Sequence, residues 1–249
     1  MPKPQETEAG TDEAGSYASP PCYAHEVDPA YFDPQGVDPQ QAKDVARWRK
    51  AERARLLDAR KAMSVEARGV AGGAMLGHVR DLIADRIGAL EGCCLSAFWP
   101  IKGEVDLRAL LTDWHEAGAT ACLPVVETRF APLVFRRWTP ETEMIRGDWN
   151  IPVPSPDVER VLPDVLLAPL VGWDDAGYRL GYGGGYFDRT LAALGPRRLV
   201  IGVGFQAARL ATIYPQPHDI PLDAIVTEAG VQVIDRPRCN AQSANRSAR

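Results

Sequence analysis

Short apolar segments alternate with helical patterns through the middle of the chain, and this alternation limits the possible folds more than any other feature of the sequence. The segments predicted as strands cover residues 93–98, 121–126, 165–173, 199–205 and 223–227, the last taken as the final strand. Helical patterns at 106–118 and 186–194 lie between them, and 132–138 fits an edge strand or a hairpin arm. Apolar strands joined by helices form a mainly parallel sheet that is covered on both faces. We therefore predict an α/β fold whose ligands bind at the carboxyl ends of the strands.

Two helices are predicted before this alternating region. Residues 40–63 follow a helical pattern with one apolar stripe. The stripe consists of Trp48, Leu56, Ala59 and Met63. Ser64, with Glu66 in the following turn, is expected to cap a second helix that runs to about Leu90.

Three arginines, Arg49, Arg53 and Arg60, lie side by side along the border of that stripe. Like charges at this spacing slightly destabilise an isolated helix. A neighbouring anion would offset the repulsion and would bind strongly to arginine. The sequence therefore leaves two interpretations open, an anion-binding row and an ordinary solvated basic flank.

The two ends of the chain differ in composition from the middle. Seven of the 21 prolines lie before residue 40, and residues 1–45 carry nine acids against Lys3 and Lys43, a net charge of −7. We predict a disordered acidic leader at 1–40, one domain at 41–234 and a disordered tail at 235–249. A stretch of the leader rich in Cys, His and Tyr fits a partly ordered arm or, alternatively, a metal or partner site.

Composition also excludes several classes of protein. No apolar run approaches the roughly 20 residues that span a bilayer, and the first residues lack an apolar signal segment, so we expect a cytoplasmic protein. Five cysteines without paired spacing argue against a disulfide framework and a zinc site. Cys93, Cys94 and Cys122 are expected to be small buried apolar residues. Beyond residue 45 the chain has 24 acids and 26 bases, which gives no support to nucleic-acid binding.

The segment Arg179-Leu-Gly-Tyr-Gly-Gly-Gly-Tyr-Phe-Asp188 is the strongest local motif. Its glycines allow backbone N–H groups to approach an anion, and the predicted helix from Tyr186 adds the positive end of its dipole. Asp188 in the first turn could also meet a metal bound to the phosphates. The spacing matches neither a Walker loop nor a dinucleotide fingerprint. A phosphate cradle and a purely structural turn both remain open from the motif alone.

Two further loops carry polar groups at predicted strand ends. Trp99-Pro-Ile-Lys-Gly-Glu-Val-Asp106 follows the first strand, and its Glu104 fits either a site for the N–H groups of a heterocycle or an ordinary acid at a helix start. His218 and Asp219 precede the strand at 223–227 and fit a loop-stabilising pair as well as a site.

Taken in order, these segments resemble the 5-formyltetrahydrofolate cyclo-ligase family, also called methenyltetrahydrofolate synthetases. The resemblance covers about residues 45–230. The matching stretches are RKAMS, WPIKGEVDLRALL, LPVV, GDWNIPVP, LLAPLVGWDDAGYRLGYGGGYFDRTL, IGVGFQ and HDIPLDAIVTE. The resemblance implies a three-layer α/β/α domain, similar to the sugar-phosphate isomerase and CoA-transferase-like group. Separately, we expect the protein to be a monomer.

The reaction implied by the resemblance is ATP + 5-formyltetrahydrofolate → 5,10-methenyltetrahydrofolate + ADP + phosphate. The formyl oxygen attacks the γ-phosphate, N10 attacks the activated carbon, and phosphate leaves as the ring closes. Mg²⁺ accompanies ATP. Positioning and neutralisation of developing charge are what such a reaction requires of the protein.

The resemblance also implies roles for individual residues. Those expected to bind ATP are Arg49, Arg53, Arg179, Leu180, Gly181, Tyr182, Gly183, Gly184, Gly185, Tyr186 and Phe187. Those expected to bind the folate are Trp99, Glu104, Trp149, Tyr182 and Tyr186, with Glu104 on the pterin ring. Catalytic roles fall to Arg53, Tyr182 and Tyr186. The expected Mg²⁺ ligands are Asp188 and Asp219.

Two residues depart from the pattern of many family members, which have lysine where this chain has Arg49 and Gly184. These departures motivate an alternative, a non-catalytic paralogue that binds nucleotide or folate and acts through a partner. A third reading is a related enzyme that acts on another formylated or phosphorylated compound.

Overall fold

The structure, a computed structural model, describes residues 38–196 and 198–234. The predictions made for the tail at 235–249 and for most of the leader, residues 1–37, lie outside these residues. Within them no helix combines the length and the apolar character needed to cross a bilayer.

Four helices are α1 (Pro39–Ala62), α2 (Val65–Ile87), α3 (Arg108–Glu116) and α4 (Tyr186–Leu194). The strands are β1 (Cys94–Ser96), β2 (Thr120–Val125), β3 (Val134–Arg137), β4 (Met144–Arg146), β5 (Pro152–Pro154), β6 (Arg160–Val161), β7 (Val165–Pro169), β8 (Gly172–Asp174), β9 (Arg179–Leu180), β10 (Leu199–Val203), β11 (Arg209–Leu210), β12 (Ala224–Thr227) and β13 (Gly230–Val233). Short 3₁₀ turns occupy Asp148–Asn150 and Gln206–Ala208.

The first two helices begin and end close to where the sequence placed them. The Asp38 carboxylate accepts the N–H of Gln40 at the start of α1, and the Ser64 hydroxyl accepts the N–H of Ala67 at the start of α2. Gly88, with a φ of 77°, ends α2 shortly before the predicted limit. Local capping chemistry therefore accounts for these boundaries.

The main sheet has eight strands in the order β13-β12-β10-β7-β1-β2-β3-β6. The five central strands run parallel, while β13, β3 and β6 pair antiparallel at the two edges. Alternate side chains of the parallel strands fill two separate cores. Leu95 and Leu167 belong to the core under α2 and α3, whereas Leu166 belongs to the core that includes Leu56 of α1 and Leu191 of α4. The predicted three-layer α/β fold is confirmed.

One predicted strand is in fact two. The segment 165–173 divides because β7 ends at Pro169, and β8 belongs to a small second sheet of order β11-β8-β9. The segment is apolar throughout because Leu170, Val171 and Trp173 fill the second core. A Cβ at Gly172 would lie 2.7 Å from Leu56 Cδ1, so glycine allows α1 to approach β8.

The edges of the sheet extend beyond the predicted strands. Of the two alternatives for 132–138, the hairpin arm is confirmed, because β3 pairs antiparallel with β2 while β6 pairs outside it. The prediction that 223–227 is the last strand is wrong, because β13 folds back beside β12 after a two-residue turn at Glu228 and Ala229. Both additional strands are short or have alternating exposure, so neither carries the continuous apolar pattern of the central strands.

The environment of the α1 arginines also differs from the prediction. Arg53 and Arg60 are buried on the inner face of the helix together with Val45 and Leu56, whereas Ala59 of the predicted stripe is exposed. The arginines thus lie within the packed face rather than along its border. Cys94 and Cys122 are buried as expected, while Cys93 is only half-buried.

Candidate active site

A cleft of about 480 Å³ opens at the carboxyl ends of the parallel strands. Every residue to which the family resemblance assigned a role lines this cleft. They are Arg49, Arg53, Trp99, Glu104, Trp149, Arg179, Leu180, Gly181, Tyr182, Gly183, Gly184, Gly185, Tyr186, Phe187, Asp188 and Asp219. The residues come from α1, from the loop after β1, from the 3₁₀ turn at Asp148–Asn150, from β9 and its connection into the first turn of α4, and from the loop before β12. The fold therefore brings together segments that lie up to about 170 residues apart in the chain.

The glycine-rich turn connects β9 directly to α4. Gly183 and Gly185 have φ angles of 108° and 64°, values that side chains disfavour. Gly185 is the N-cap residue of α4, and no side-chain oxygen caps the first N–H groups of this helix, whose first residues line the cleft. An anion at this position would satisfy them and would also meet the positive end of the helix dipole.

Two buried arginines fix the carbonyl groups of the turn. Arg53 Nε donates to the Gly181 carbonyl at 2.6 Å, and Arg189 Nη1 donates to the Gly184 carbonyl at 2.6 Å. A Cβ at Gly183 would lie 3.5 Å from Arg53 Cζ, so the guanidinium lies directly against the turn. These two hydrogen bonds restrict the motion of the turn, and they place two guanidinium groups, each with a positive charge, beside it. Arg189 is a functional candidate that the sequence motifs did not reveal.

The absence of a side chain at Gly184 is explained by Tyr186. A Cβ at position 184 would lie 2.7 Å from Tyr186 Cδ2, closer than such contacts allow. The Tyr186 ring is itself held in place, because it packs edge-on against Trp149 at 5.5 Å and its hydroxyl accepts the N–H of Phe130 at 3.4 Å. A lysine at position 184 would require this ring to move.

Asp219 and Asp188 are each paired with an arginine. Arg49 Nη2 lies 2.5 Å from Asp219 Oδ2 and Arg49 Nη1 lies 3.2 Å from Asp219 Oδ1, an end-on double contact. Arg179 Nη2 lies 2.8 Å from Asp188 Oδ1, an ion pair without hydrogen-bond alignment. The backbone N–H of Ile220 also donates to Asp188 Oδ1. These pairs tie α1, β9 and α4 to one loop, 213–220.

The two carboxylates differ in their capacity for a metal. Both contacts of Asp188 use Oδ1, whereas Asp219 directs both oxygens to Arg49 and also accepts the Gln216 N–H. Among residues 38–196 and 198–234 no group of three or more His, Cys, Asp or Glu side chains could hold a metal ion. A metal at this site would therefore take most of its ligands from phosphate oxygens and water, the usual environment of Mg²⁺.

Glu104 forms the centre of the opposite side of the cleft. Its Oε1 accepts the Tyr182 hydroxyl at 2.9 Å, and its Oε2 accepts the backbone N–H of Ile101 at 2.9 Å. Burial raises the pKa of Glu104 to about 7, against the lowering effects of these hydrogen bonds and of the charges on Arg60 and Lys102. Burial and the Glu104 charge likewise raise the pKa of Tyr182. The carboxyl thus changes charge near neutral pH.

Trp149, which forms an aromatic side of the cleft together with Tyr186, lies on a strained turn. Trp149 and Asn150 have φ angles of 55° and 61°, so two successive non-glycine residues adopt the left-handed region. Trp149 is 37% exposed, which leaves the rest of its side chain against neighbours such as Tyr186. On the other side of the cleft, the Arg108 guanidinium lies over the Trp99 ring at 5.5 Å. Flat apolar surfaces so arranged suit a planar heterocycle.

Two further cations near the cleft had no role assigned from the sequence. Lys102 lines the cleft with its ammonium 5.2 Å from the centre of the Tyr182 ring. Arg60, noticed only as part of the α1 row, is 4% exposed and lies behind Tyr182. The periodicity of α1 could have flagged Arg60, since it shares a face with Arg53. No sequence signal distinguishes Lys102 from an ordinary loop lysine.

Comparison with known proteins agrees with this geometry. The model of the 5-formyltetrahydrofolate cyclo-ligase family matches residues 45–228. The chain belongs to this family. The 5-formyltetrahydrofolate cyclo-ligase of Escherichia coli strain K12 is 34% identical over 143 residues, which cover 55% of this chain and 79% of the relative. That of Haemophilus influenzae is 30% identical over 152 residues, 58% of this chain and 79% of the relative.

The fold supports the same relationship. The structure of 5,10-methenyltetrahydrofolate synthetase from Aquifex aeolicus superimposes with a TM-score of 0.64 at 28% sequence identity, covering 80% of this chain and 98% of that one. The family predicted from the motifs is confirmed, as is the enzyme class, a ligase of folate one-carbon metabolism. The comparisons give no support to the alternative of a non-catalytic paralogue.

Proposed function

We propose that this cyclo-ligase family member converts 5-formyltetrahydrofolate and ATP into 5,10-methenyltetrahydrofolate, ADP and phosphate, with Mg²⁺. The observation that carries the proposal is the joining of two unlike half-sites in one cleft. The glycine turn with its arginines suits a polyphosphate, and Glu104 with its aromatic neighbours suits a pterin. The relatives from Escherichia coli and Haemophilus influenzae bear the name of this activity.

The phosphate half-site would orient ATP through backbone N–H groups and fixed positive charge. The start of α4 supplies the amides, while Arg53 adds a guanidinium whose Nε is already committed to Gly181. Because these groups are in place before ATP arrives, little reorganisation is needed when charge shifts towards the leaving ADP. The formyl oxygen would attack the γ-phosphate from the side of Glu104, where the folate would be held.

The folate half-site would orient the pterin ring through Glu104. An ionised carboxylate accepts hydrogen bonds from adjacent N–H groups of a heterocycle, and the buried position strengthens those bonds. Trp149 and Tyr186 would cover the ring and keep water from the phosphorylated intermediate. Tyr182 belongs to both half-sites, because it lies in the glycine turn and donates to Glu104.

Asp188 fits a role as the protein ligand of Mg²⁺. It lies in the first turn of α4 beside the predicted phosphates, and its two contacts both use Oδ1. When bound, the ion would neutralise charge on the phosphates. Asp219 would have to exchange Arg49 for the metal, and its present bonds give it a second role, the orientation of Arg49.

We also propose that the protein acts as a monomer in the cytosol.

The direct test is a spectrophotometric cyclisation assay on the purified full chain, with and without ATP and Mg²⁺. We expect the methenyl chromophore to appear only when ATP, Mg²⁺ and 5-formyltetrahydrofolate are all present. Asp188→Asn keeps the shape of the side chain but removes its charge, and it should raise the Mg²⁺ concentration needed for half-maximal rate by about tenfold or more. Asp157→Asn, in an exposed turn, is the matched control. Absence of product with the wild-type chain would remove the proposal.

A further inference from the structure

Arg60 is a buried cation behind the cleft. Its side chain leaves α1 on the same face as Arg53, yet it does not appear among the residues that line the cleft. One amino group donates to the Leu170 carbonyl, just after the end of β7, and the guanidinium lies 5.8 Å from the centre of the Phe205 ring. A buried guanidinium is costly unless polar partners compensate it, so this position requires an explanation.

The remaining contacts of Arg60 lead to the folate half-site. Arg60 Nη1 lies 3.4 Å from the Tyr182 hydroxyl, which in turn donates to Glu104 at 2.9 Å. The aliphatic part of Arg60 lies below Gly103, where a Cβ would be 3.7 Å from Arg60 Cγ and Cδ. Arg60 therefore supports both the hydroxyl that contacts Glu104 and the backbone immediately before Glu104.

We propose that Arg60 is a positioning residue for folate binding, which acts through the Tyr182 hydroxyl and its own positive charge to keep Glu104 ionised and correctly oriented. The proposal rests on the proposed function, since it presumes that Glu104 binds the pterin. Arg60 itself touches neither substrate. Its placement on α1, the helix that also carries Arg53, links the folate carboxylate to the helix that supports the phosphate turn.

Electrostatics makes the proposal specific. The charged and titratable groups that face Glu104 are Arg60 and Lys102, which lower its pKa, and Tyr182, which donates to it. Arg68 lies behind Gly103 and bonds to the carbonyls of Arg60 and Met63. Removal of the Arg60 charge would leave Lys102 as the one nearby cation that acts on Glu104 in the part of the chain the structure describes. The carboxyl would then stay protonated to a higher pH and lose acceptor capacity for a pterin N–H.

The test compares Arg60→Gln with Arg60→Lys in the full chain. Binding of 5-formyltetrahydrofolate and of a non-hydrolysable ATP analogue is measured separately by calorimetry from pH 6 to pH 9, spanning about one unit or more either side of the expected titration. For Arg60→Gln we expect folate affinity at pH 7.5 to fall about tenfold, while affinity for the ATP analogue changes by less than about threefold. Folate affinity should fall as the pH is lowered and Glu104 becomes protonated. The pH at which the affinity has fallen by half should be about one unit higher in Arg60→Gln than in the wild type.

A positive charge at position 60 should be enough to preserve the pH dependence of folate binding. Arg60→Lys keeps the positive charge but not the planar fork, so its pH midpoint should stay near that of the wild type with affinity lowered by no more than about threefold. Arg55→Gln, on the exposed face of the same helix, is the matched control and should match the wild type in both measurements. Thermal unfolding of each variant establishes that it is folded.

Two outcomes would overturn the inference. One is an Arg60→Gln variant with the folate affinity and pH midpoint of the wild type. The other is an equal loss of both ligands in Arg60→Gln and Arg60→Lys, which a purely structural role produces. Either result is separate from failure of the proposed function, since wild-type turnover in the cyclisation assay decides that question independently.

Discussion

The two halves of the cleft, the phosphate half and the pterin half, present different kinds of polar group. The phosphate half relies on backbone groups, glycines at positive φ and arginines that are each already bound, as Arg53 is to Gly181 and Arg49 to Asp219. The pterin half relies on one buried carboxyl, Glu104, whose pKa lies near neutrality because it is removed from water. In the proposed complex, a highly charged ligand would be met by many fixed groups, whereas a neutral ring would be met by a single acceptor whose charge depends on its neighbours.

The largest expected effect lies in the phosphate half. Gly185→Val places a branched side chain at a φ of 64°, with its Cβ only 3.2 Å from Arg189 Nη1. The turn would have to change shape, and we expect cyclisation to fall by about 10³-fold or more because the N–H groups no longer converge on the phosphates. The rate is measured at saturating ATP.

Its matched control is Gly195→Val at the other end of the same helix. Gly195 has a φ of 72°, but a Cβ at this position would meet no atom within 4 Å, and the residue does not line the cleft. The two variants should lose comparable thermal stability, and only Gly185→Val should lose turnover. Equal losses of turnover would mean that backbone strain, rather than phosphate binding, explains the need for glycine at 185.

The next effect belongs to the pterin half and concerns stability. Burial raises the pKa of Glu104 from 4.5 to about 7. Between these two pH values the folded protein therefore keeps a proton on Glu104 that the unfolded chain has already released. The stability due to this proton is present below pH 4.5 and is lost as the pH rises through 7, a change of about 3 kcal/mol in the free energy of unfolding. Relative to wild type, Glu104→Gln should therefore gain stability as the pH rises across this interval.

Denaturant unfolding of both proteins at pH 5 and pH 8 measures the difference. Gln has one acceptor oxygen where Glu has two, so it cannot accept both the Ile101 N–H and the Tyr182 hydroxyl, and a constant loss is expected at both pH values. Only the change with pH reports on the titration. A difference between the two proteins that is the same at both pH values would show that Glu104 does not titrate in this range.

A smaller effect is expected where the two halves meet. Tyr182→Phe removes the hydroxyl that donates to Glu104 and should weaken 5-formyltetrahydrofolate binding by about tenfold, with the ATP analogue much less affected. Tyr178→Phe, whose ring packs against the second core, is the control and should change folate affinity by less than about twofold. Loss of both ligands in Tyr182→Phe would mean that the hydroxyl supports the turn rather than the carboxylate.

The smallest effect concerns Gly184. An added Cβ would meet the Tyr186 ring, so Gly184→Ala should displace this ring and weaken folate binding by about threefold. Gly73→Ala on α2, where a Cβ meets no atom within 4 Å, provides the comparison. If Gly184→Ala binds folate as tightly as the wild type, the Tyr186 ring is not fixed as the structure shows it.

The sequence predicted the local features of the site better than the contacts that hold them. Helix α4 begins and ends at the predicted residues, 186 and 194, because the glycine turn and the apolar periodicity are local signals. The bonds of Arg189 to Gly184 and of Arg60 to Leu170 depend on how the folded segments pack, which no short motif encodes. For the same reason the apolar run at 165–173 could not reveal that it serves two different sheets.

One measurement tests the central claim most directly, a crystal structure of the full chain with a non-hydrolysable ATP analogue, Mg²⁺ and 5-formyltetrahydrofolate. We predict the terminal phosphates within hydrogen-bond distance of the N–H groups at the start of α4, beside Arg53, and the pterin ring on Glu104. Phosphates bound elsewhere, with the turn at Gly183–Gly185 unoccupied, would contradict the account.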